Sequence, residues 1–111
     1  MTDNERTAII RQLNDQLRRH HIGGHIMVTP GIQALGEVSV AELFAEIARF
    51  DGFSADNDPY EEHDCAVLDW AGSRVIWKID YYDRKMMFGS PDPADPAVTE
   101  RVMTVMLADE Y

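Results

Sequence analysis

Apolar residues recur at helical spacing near the start of the chain: Ile9, Leu13 and Leu17 lie four apart, and Ile10 widens the stripe. That pattern predicts a helix over 3–20. Its last turn, Arg18-Arg19-His20-His21, suits the negative end of a helix dipole, and Gly23-Gly24 ends it. His25–Thr29 reads as a short strand stopped by Pro30-Gly31. A second helix is expected from Ser39, with Ser39 and Glu42 spaced as a capping box and Val40, Leu43, Phe44 and Ile47 as its apolar face. The pattern then changes to alternation, giving strand-like runs over 63–70, 74–82 and 85–89.

Gly72-Ser73 fits a type II′ hairpin turn. That turn sets Trp70 opposite Val75, Leu68 opposite Trp77 and Ala66 opposite Ile79 on the core face. The opposite face then pairs Val67 with Lys78, Cys65 with Asp80 and His63 with Tyr82. A further turn at Asp83-Arg84 would bring Met86 and Phe88 back beside Tyr81 and Ile79. Asp95 as N-cap and Pro96 at the first helical position predict a closing helix, with Val98, Val102, Val105 and Met106 inward. Trp70 and Trp77 should both be buried against that helix. The fold expected is α+β: an antiparallel meander of three to four strands over 63–89, with about three helices on one face.

Composition narrows the function classes. The 111 residues, 45% of them hydrophobic, suit one globular domain spanning 1–111. The charged start Met1–Ile10 lacks the apolar core of a secretion signal, and no apolar run is long enough to span a bilayer. One cysteine, Cys65, forms no internal disulfide, which fits a reducing cytoplasm. The net charge of −10 disfavours direct binding to nucleic acid or anionic lipid. Residues 51–100 hold twelve acids and four bases, so the acidic character belongs to the second half.

Its densest part is DNDPYEEHD, Asp56 to Asp64. Asp56 and Asp58 share the spacing of the first two ligands of a calcium loop, but the later ligand and glycine positions hold Tyr60, Glu61 and Val67. The loop pattern fails, and no metal is expected. His21 and His25 are separated by Gly23-Gly24, which breaks the helical geometry a shared ion would need. Asp56 or Asn57 can form an Asx-turn, with Pro59 and Tyr60 holding the loop to the core and Asp56, Asp58, Glu61 and Glu62 exposed.

WKIDYYD, Trp77 to Asp83, offers a different chemistry. His63, Lys78, Asp80 and Tyr82 would share one sheet face, the material of an acid–base site. An ordinary ladder of cross-strand polar pairs explains them as well. The acid-x-lysine triplet of many nucleases is broken by Ile76. No phosphate-binding glycine loop, nucleophile elbow or zinc-protease motif occurs, and no cofactor is expected.

DNDPYEEHD, WKIDYYD and GSPDPADPAVTERVMTVMLADEY together resemble a small bacterial domain-of-unknown-function family, number 3768, over nearly the whole chain. The resemblance implies a family carried on chromosomes and mobile elements, with no established catalytic residue. Where this chain has Cys65-Ala66, the family more often carries a bulky apolar residue and glycine, which argues against essential thiol chemistry.

Charge therefore carries the functional expectation. Asp56, Asp58, Glu61, Glu62, Asp83, Asp92 and Asp95 form a candidate acidic surface for a basic protein or complex. In its sharpest form the domain mimics nucleic acid and blocks the basic groove of restriction or CRISPR-type machinery. The alternative is a small acid–base or metal-assisted enzyme on the polar sheet face.

Overall fold

In the computed structural model, which describes residues 1–111 throughout, three helices lie against one face of a four-stranded sheet. The elements run α1 (Asp3–His20), β1 (His25–Val28), α2 (Pro30–Gln33), α3 (Glu37–Arg49), β2 (Cys65–Trp70), β3 (Ser73–Tyr82) and β4 (Glu100–Leu107). Short 3-10 turns at Pro96–Val98 and Ala108–Glu110 flank β4. No helix is long and apolar enough to cross a membrane.

α1 forms where the periodicity places it. Thr2 caps it by accepting from the Glu5 amide at 3.1 Å, and His21 ends it in the left-handed region at φ 57°. α3 begins three residues earlier than the Ser39–Glu42 pattern predicts, with Gly36 in place of Ser39 as N-cap. Gly36, at φ 93°, turns the chain out of α2 and its carbonyl accepts from the Val40 amide at 2.9 Å. The expected capping box is thereby enclosed within the helix.

The sheet order is β1-β4-β3-β2, with β1 parallel to β4 and the other two pairs antiparallel. The α+β class holds, but the sheet is mixed and is not a meander. The predicted closing helix is instead the Pro96–Val98 turn followed by β4. β4 is buried on both faces, so its apolar residues run nearly without interruption and mimic helical spacing. Its Val102, Thr104 and Val105 favour an extended strand.

The hairpin turn is Ala71-Gly72, both residues at positive φ (51° and 80°), as a type I′ turn requires. The register therefore shifts by two from the predicted one: Ala66 faces Trp77, Leu68 faces Val75 and Cys65 faces Lys78. An even shift keeps the side chains of β2 and β3 on their expected faces, whereas His63 lies outside β2. The third run, 85–89, makes only an isolated bridge between Tyr82 and Gly89. Asp83 folds it into a loop: its carbonyl accepts from Met86 N and its Oδ1 from Met87 N, each at 3.0 Å. Met86, Met87 and Phe88 consequently face solvent, away from the sheet.

The core lies between the sheet and the helices. Trp77 is fully buried among Leu17, Leu43, Ile47, Ala66, Ile79 and Val105, with Phe50 and Phe53 packed edge-on to its indole. Trp70, near the end of the outer strand β2, is only half-buried. Helices α1 and α3 supply the cover expected from a C-terminal helix, and Val105 reaches Trp77 as its neighbour within the sheet.

Candidate functional site

The 51–64 segment docks along α1, and the helix supplies the groups that hold it. Arg11 donates to the carbonyl of Glu61 at 2.9 Å, and Asn14 donates to that of Glu62 at 3.0 Å. Asp15 meets the ring of His63, with Oδ1 2.9 Å from Nδ1. Asn57 closes the loop on itself: its Oδ1 accepts from Ser54 N at 2.7 Å and its Nδ2 donates to the Gly52 carbonyl at 2.8 Å. Glu61 and His63 both adopt positive φ, at 58° and 53°, so these contacts hold two non-glycine residues in a costly conformation.

Asp58 departs from the expected exposed position. It is 4% exposed, and its Oδ1 accepts from the His63 amide at 3.1 Å while Oδ2 lies 3.8 Å from His63 Nε2. The imidazole is thus bracketed by Asp15 and Asp58 and stacks on Phe53, ring centres 3.8 Å apart and nearly parallel. Tyr60, expected to cover the core, projects into solvent. Together Phe53, Ser54, Asp58, Pro59, Glu61 and His63, with Arg11 at the side, line a polar cavity of about 500 Å³.

Beneath this loop lies a buried polar network that hydropathy does not reveal. Arg18 donates from Nε to Asp15 at 2.9 Å and from one terminal nitrogen to the carbonyls of Ile47 and Phe50 at 3.0 and 2.8 Å. It thereby caps the end of α3 while its guanidinium lies over Phe53 and Trp77. Burial lowers its pKa, against the opposing pull of Asp15. Beside it, Asn14 accepts from Arg101 Nε at 2.9 Å and donates to the Tyr81 hydroxyl at 2.7 Å. That hydroxyl donates to Glu62 at 2.8 Å. Burial pushes the Tyr81 phenol well above its ordinary range.

The remaining acidic positions are largely engaged by the fold. Asp92 pairs with Arg6, whose hydrogen bond holds that carboxyl below its ordinary pKa. Asp95 caps the Pro96–Val98 turn by accepting from Ala97 N at 2.9 Å, and Asp83 closes the loop after β3. Of the seven expected binding carboxylates, Asp56 and Glu61 are exposed and make no side-chain hydrogen bond or ion pair.

His63, Lys78, Asp80 and Tyr82 do not converge. His63 meets α1 on the helix-covered side, whereas Lys78, Asp80 and Tyr82 alternate with Trp77, Ile79 and Tyr81 and so occupy the other face. There Lys78 donates to Asp80 at 2.7 Å, a bond that raises the ammonium pKa, and Tyr82 sits opposite Glu100. Cys65, beside Lys78, is half-buried, and that burial pushes its thiol pKa up.

Sequence reasoning missed Asn14, Asp15, Arg18 and Phe53. The one available signal was the spacing of Asn14 and Arg18, four apart and flanking the inward residue Leu17.

A family model described as a protein of unknown function, DUF3768, matches residues 28–110, and the chain belongs to that family. The match leaves out α1, the helix that supplies Arg11, Asn14, Asp15 and Arg18 to the site. No curated protein and no solved structure matches the chain.

Proposed function

We propose that this family member works by binding, as a cytoplasmic, non-enzymatic regulator, with the 51–64 loop as its contact for a basic protein segment. The observation that carries this is the polar cavity: a loop fixed on α1 presents Glu61 and the buried Asp58 beside the stacked Phe53–His63 pair. A lysine or arginine side chain suits that environment, its cation facing carboxylates and its stem lying on the aromatic surface. Asp56, exposed on the same loop, adds a second unpaired carboxylate. The negative field of the whole chain would steer such a partner toward it.

In its sharper form, the domain competes with nucleic acid for the basic groove of a restriction or CRISPR-type complex. Because Glu62, Asp83, Asp92 and Asp95 are engaged by the fold, this contact would be a compact anchor. An extended row of phosphate-like charges is not what these residues offer.

The test uses Asp56→Asn with Glu61→Gln, which touches exposed side chains and leaves Asp58 and Glu62 in their structural bonds. The double variant should keep the wild-type melting temperature and bind an arginine-rich peptide roughly tenfold more weakly, mostly through a slower and less salt-sensitive on-rate. A basic protein captured from host lysate by the wild type should be lost in parallel. Equal peptide binding and equal capture by both proteins would overturn the proposal.

A second reading rests on one contact. Asp15 orients His63 through Nδ1, as an acid–base pair requires, and His63 lines the cavity. His63→Gln would abolish turnover of a cavity-bound substrate under that reading. Under the binding reading, it would alter only affinity and stability.

A further inference from the structure

β2 is the outer strand of the sheet, and one side of its backbone has no partner. The Asp64 carbonyl accepts from the Ile79 amide at 2.7 Å, so residue 64 points inward toward β3. In an antiparallel ladder the inward groups alternate, which turns the N–H and C=O of Ala66, Leu68 and Trp70 toward β3 as well. Those of Cys65, Val67 and Asp69 then face outward. They make no hydrogen bond with any turn, loop or side chain.

Natural edge strands are guarded by proline, charged side chains, a bulge or a covering loop. The strand CAVLDW has no proline and a single charge, Asp69 near its end, and its ladder with β3 runs without a bulge from Cys65 to Trp70. Val67, at its middle, is 50% exposed, and Leu68 and Trp70 on the other face are half-buried.

We infer that β2 is a self-association edge, pairing antiparallel with β2 of a second copy about a two-fold axis at Val67 to continue the sheet across both molecules. This goes beyond the binding of a basic partner and does not depend on it. The register follows from the outward groups. With Val67 opposite Val67, Cys65 falls opposite Asp69 at both ends, and every outward N–H and C=O gains a partner. This alignment overlaps Cys65 to Asp69 of both strands.

The side chains agree with that register. On the open face the two Val67 side chains meet on the axis. Asp69, exposed and paired with Arg74 of its own copy at 3.4 Å, lies next to Cys65 of the other copy, on the same face as that copy's Lys78–Asp80 pair. On the helix-covered face Ala66 meets Leu68. A shift that set Asp69 opposite Asp69 would oppose two carboxylates and shorten the overlap. Such an edge-only interface falls below the roughly 1,200 Å² of a tight complex, so the dimer should be concentration-dependent.

Sedimentation velocity on the full chain, from about 10 to several hundred micromolar, is the first measurement. The wild type should move from monomer to twice that mass. Val67→Lys and Val67→Glu, both at a solvent-facing position, should each remain monomeric with an unchanged circular dichroism spectrum, because like charges meet on the axis. Their equimolar mixture should regain the dimer.

Amide exchange on the wild type gives a readout that needs no variant. Val67 and Asp69 amides should slow as the dimer fills, while those of Ala66 and Leu68 stay as protected as they are in the monomer. A wild type that stays monomeric throughout overturns the inference. So does a dimer unaffected by either Val67 substitution, or one whose exchange changes fall outside residues 65–69.

Discussion

Arg18 is wholly buried, and its acceptors are Asp15 on its own helix and the Ile47 and Phe50 carbonyls at the end of α3. Its removal would leave the Phe50 carbonyl without its donor beneath the 51–64 loop, and the Ile47 carbonyl with only the Phe50 amide at 3.3 Å. Arg18→Ala should therefore cost about 3 kcal/mol, read from chemical denaturation, and loosen the loop. Arg18→Lys should recover only part of that loss, because an ammonium cannot span the same fork of acceptors. Asn14, Arg18 and Arg101 were hidden in the sequence for one reason: charged and amide side chains on an amphipathic helix or after a turn normally face water. Only the positions of their partners, scattered from Asp15 to Pro93, turn them inward. The apolar core residues Leu17, Leu43, Ile47, Ala66, Val75, Trp77 and Ile79 needed no such knowledge, since periodicity alone placed them.

Among the secondary-structure elements, the turn at Ala71-Gly72 that joins β2 to β3 holds an alanine at positive φ. Type I′ geometry needs two residues at positive φ, and alanine tolerates it poorly. Ala71→Asn should stabilise the domain by about 0.5–1 kcal/mol, seen as a melting point higher by a few degrees, while Gly72→Ala should lower it by a similar amount. Faces of β2 and β3 were legible although their register was not, because alternation fixes the face whereas the turn residue fixes the pairing. β4 was illegible for the opposite reason. A strand buried on both sides loses its alternation, and Val98, Val102 and Val105 then fall at spacings a helix would also use. Distance along the chain concealed its parallel partnership with β1.

For the whole molecule, pH response is set by carboxyls of opposite behaviour. Asp92, held low by Arg6, and Glu110, held low chiefly by the Thr29 hydroxyl, favour the fold when ionised. Their support is present above the ordinary carboxylate range and is lost as pH falls through their depressed values. Asp64 behaves the other way: burial raises its pKa from 3.8, so its charge costs stability once pH rises above that value. Asp64→Asn should raise the melting temperature at pH 7, and the gain should vanish as pH is lowered below about 3.8, measured by thermal scans. The central place of β4 has a further consequence, for a chain still being made. β1 and the β2–β3 hairpin emerge from the ribosome well before residues 100–107, and β4 is the strand that lies between them. Until it arrives, Ile26 and Val28 have no strand beside them, and one edge of β3 stands open next to Trp77 and Ile79. A nascent chain stalled in that interval would display adhesive apolar strands, making it a substrate for holding chaperones and proteases up to the moment its last strand slots into place.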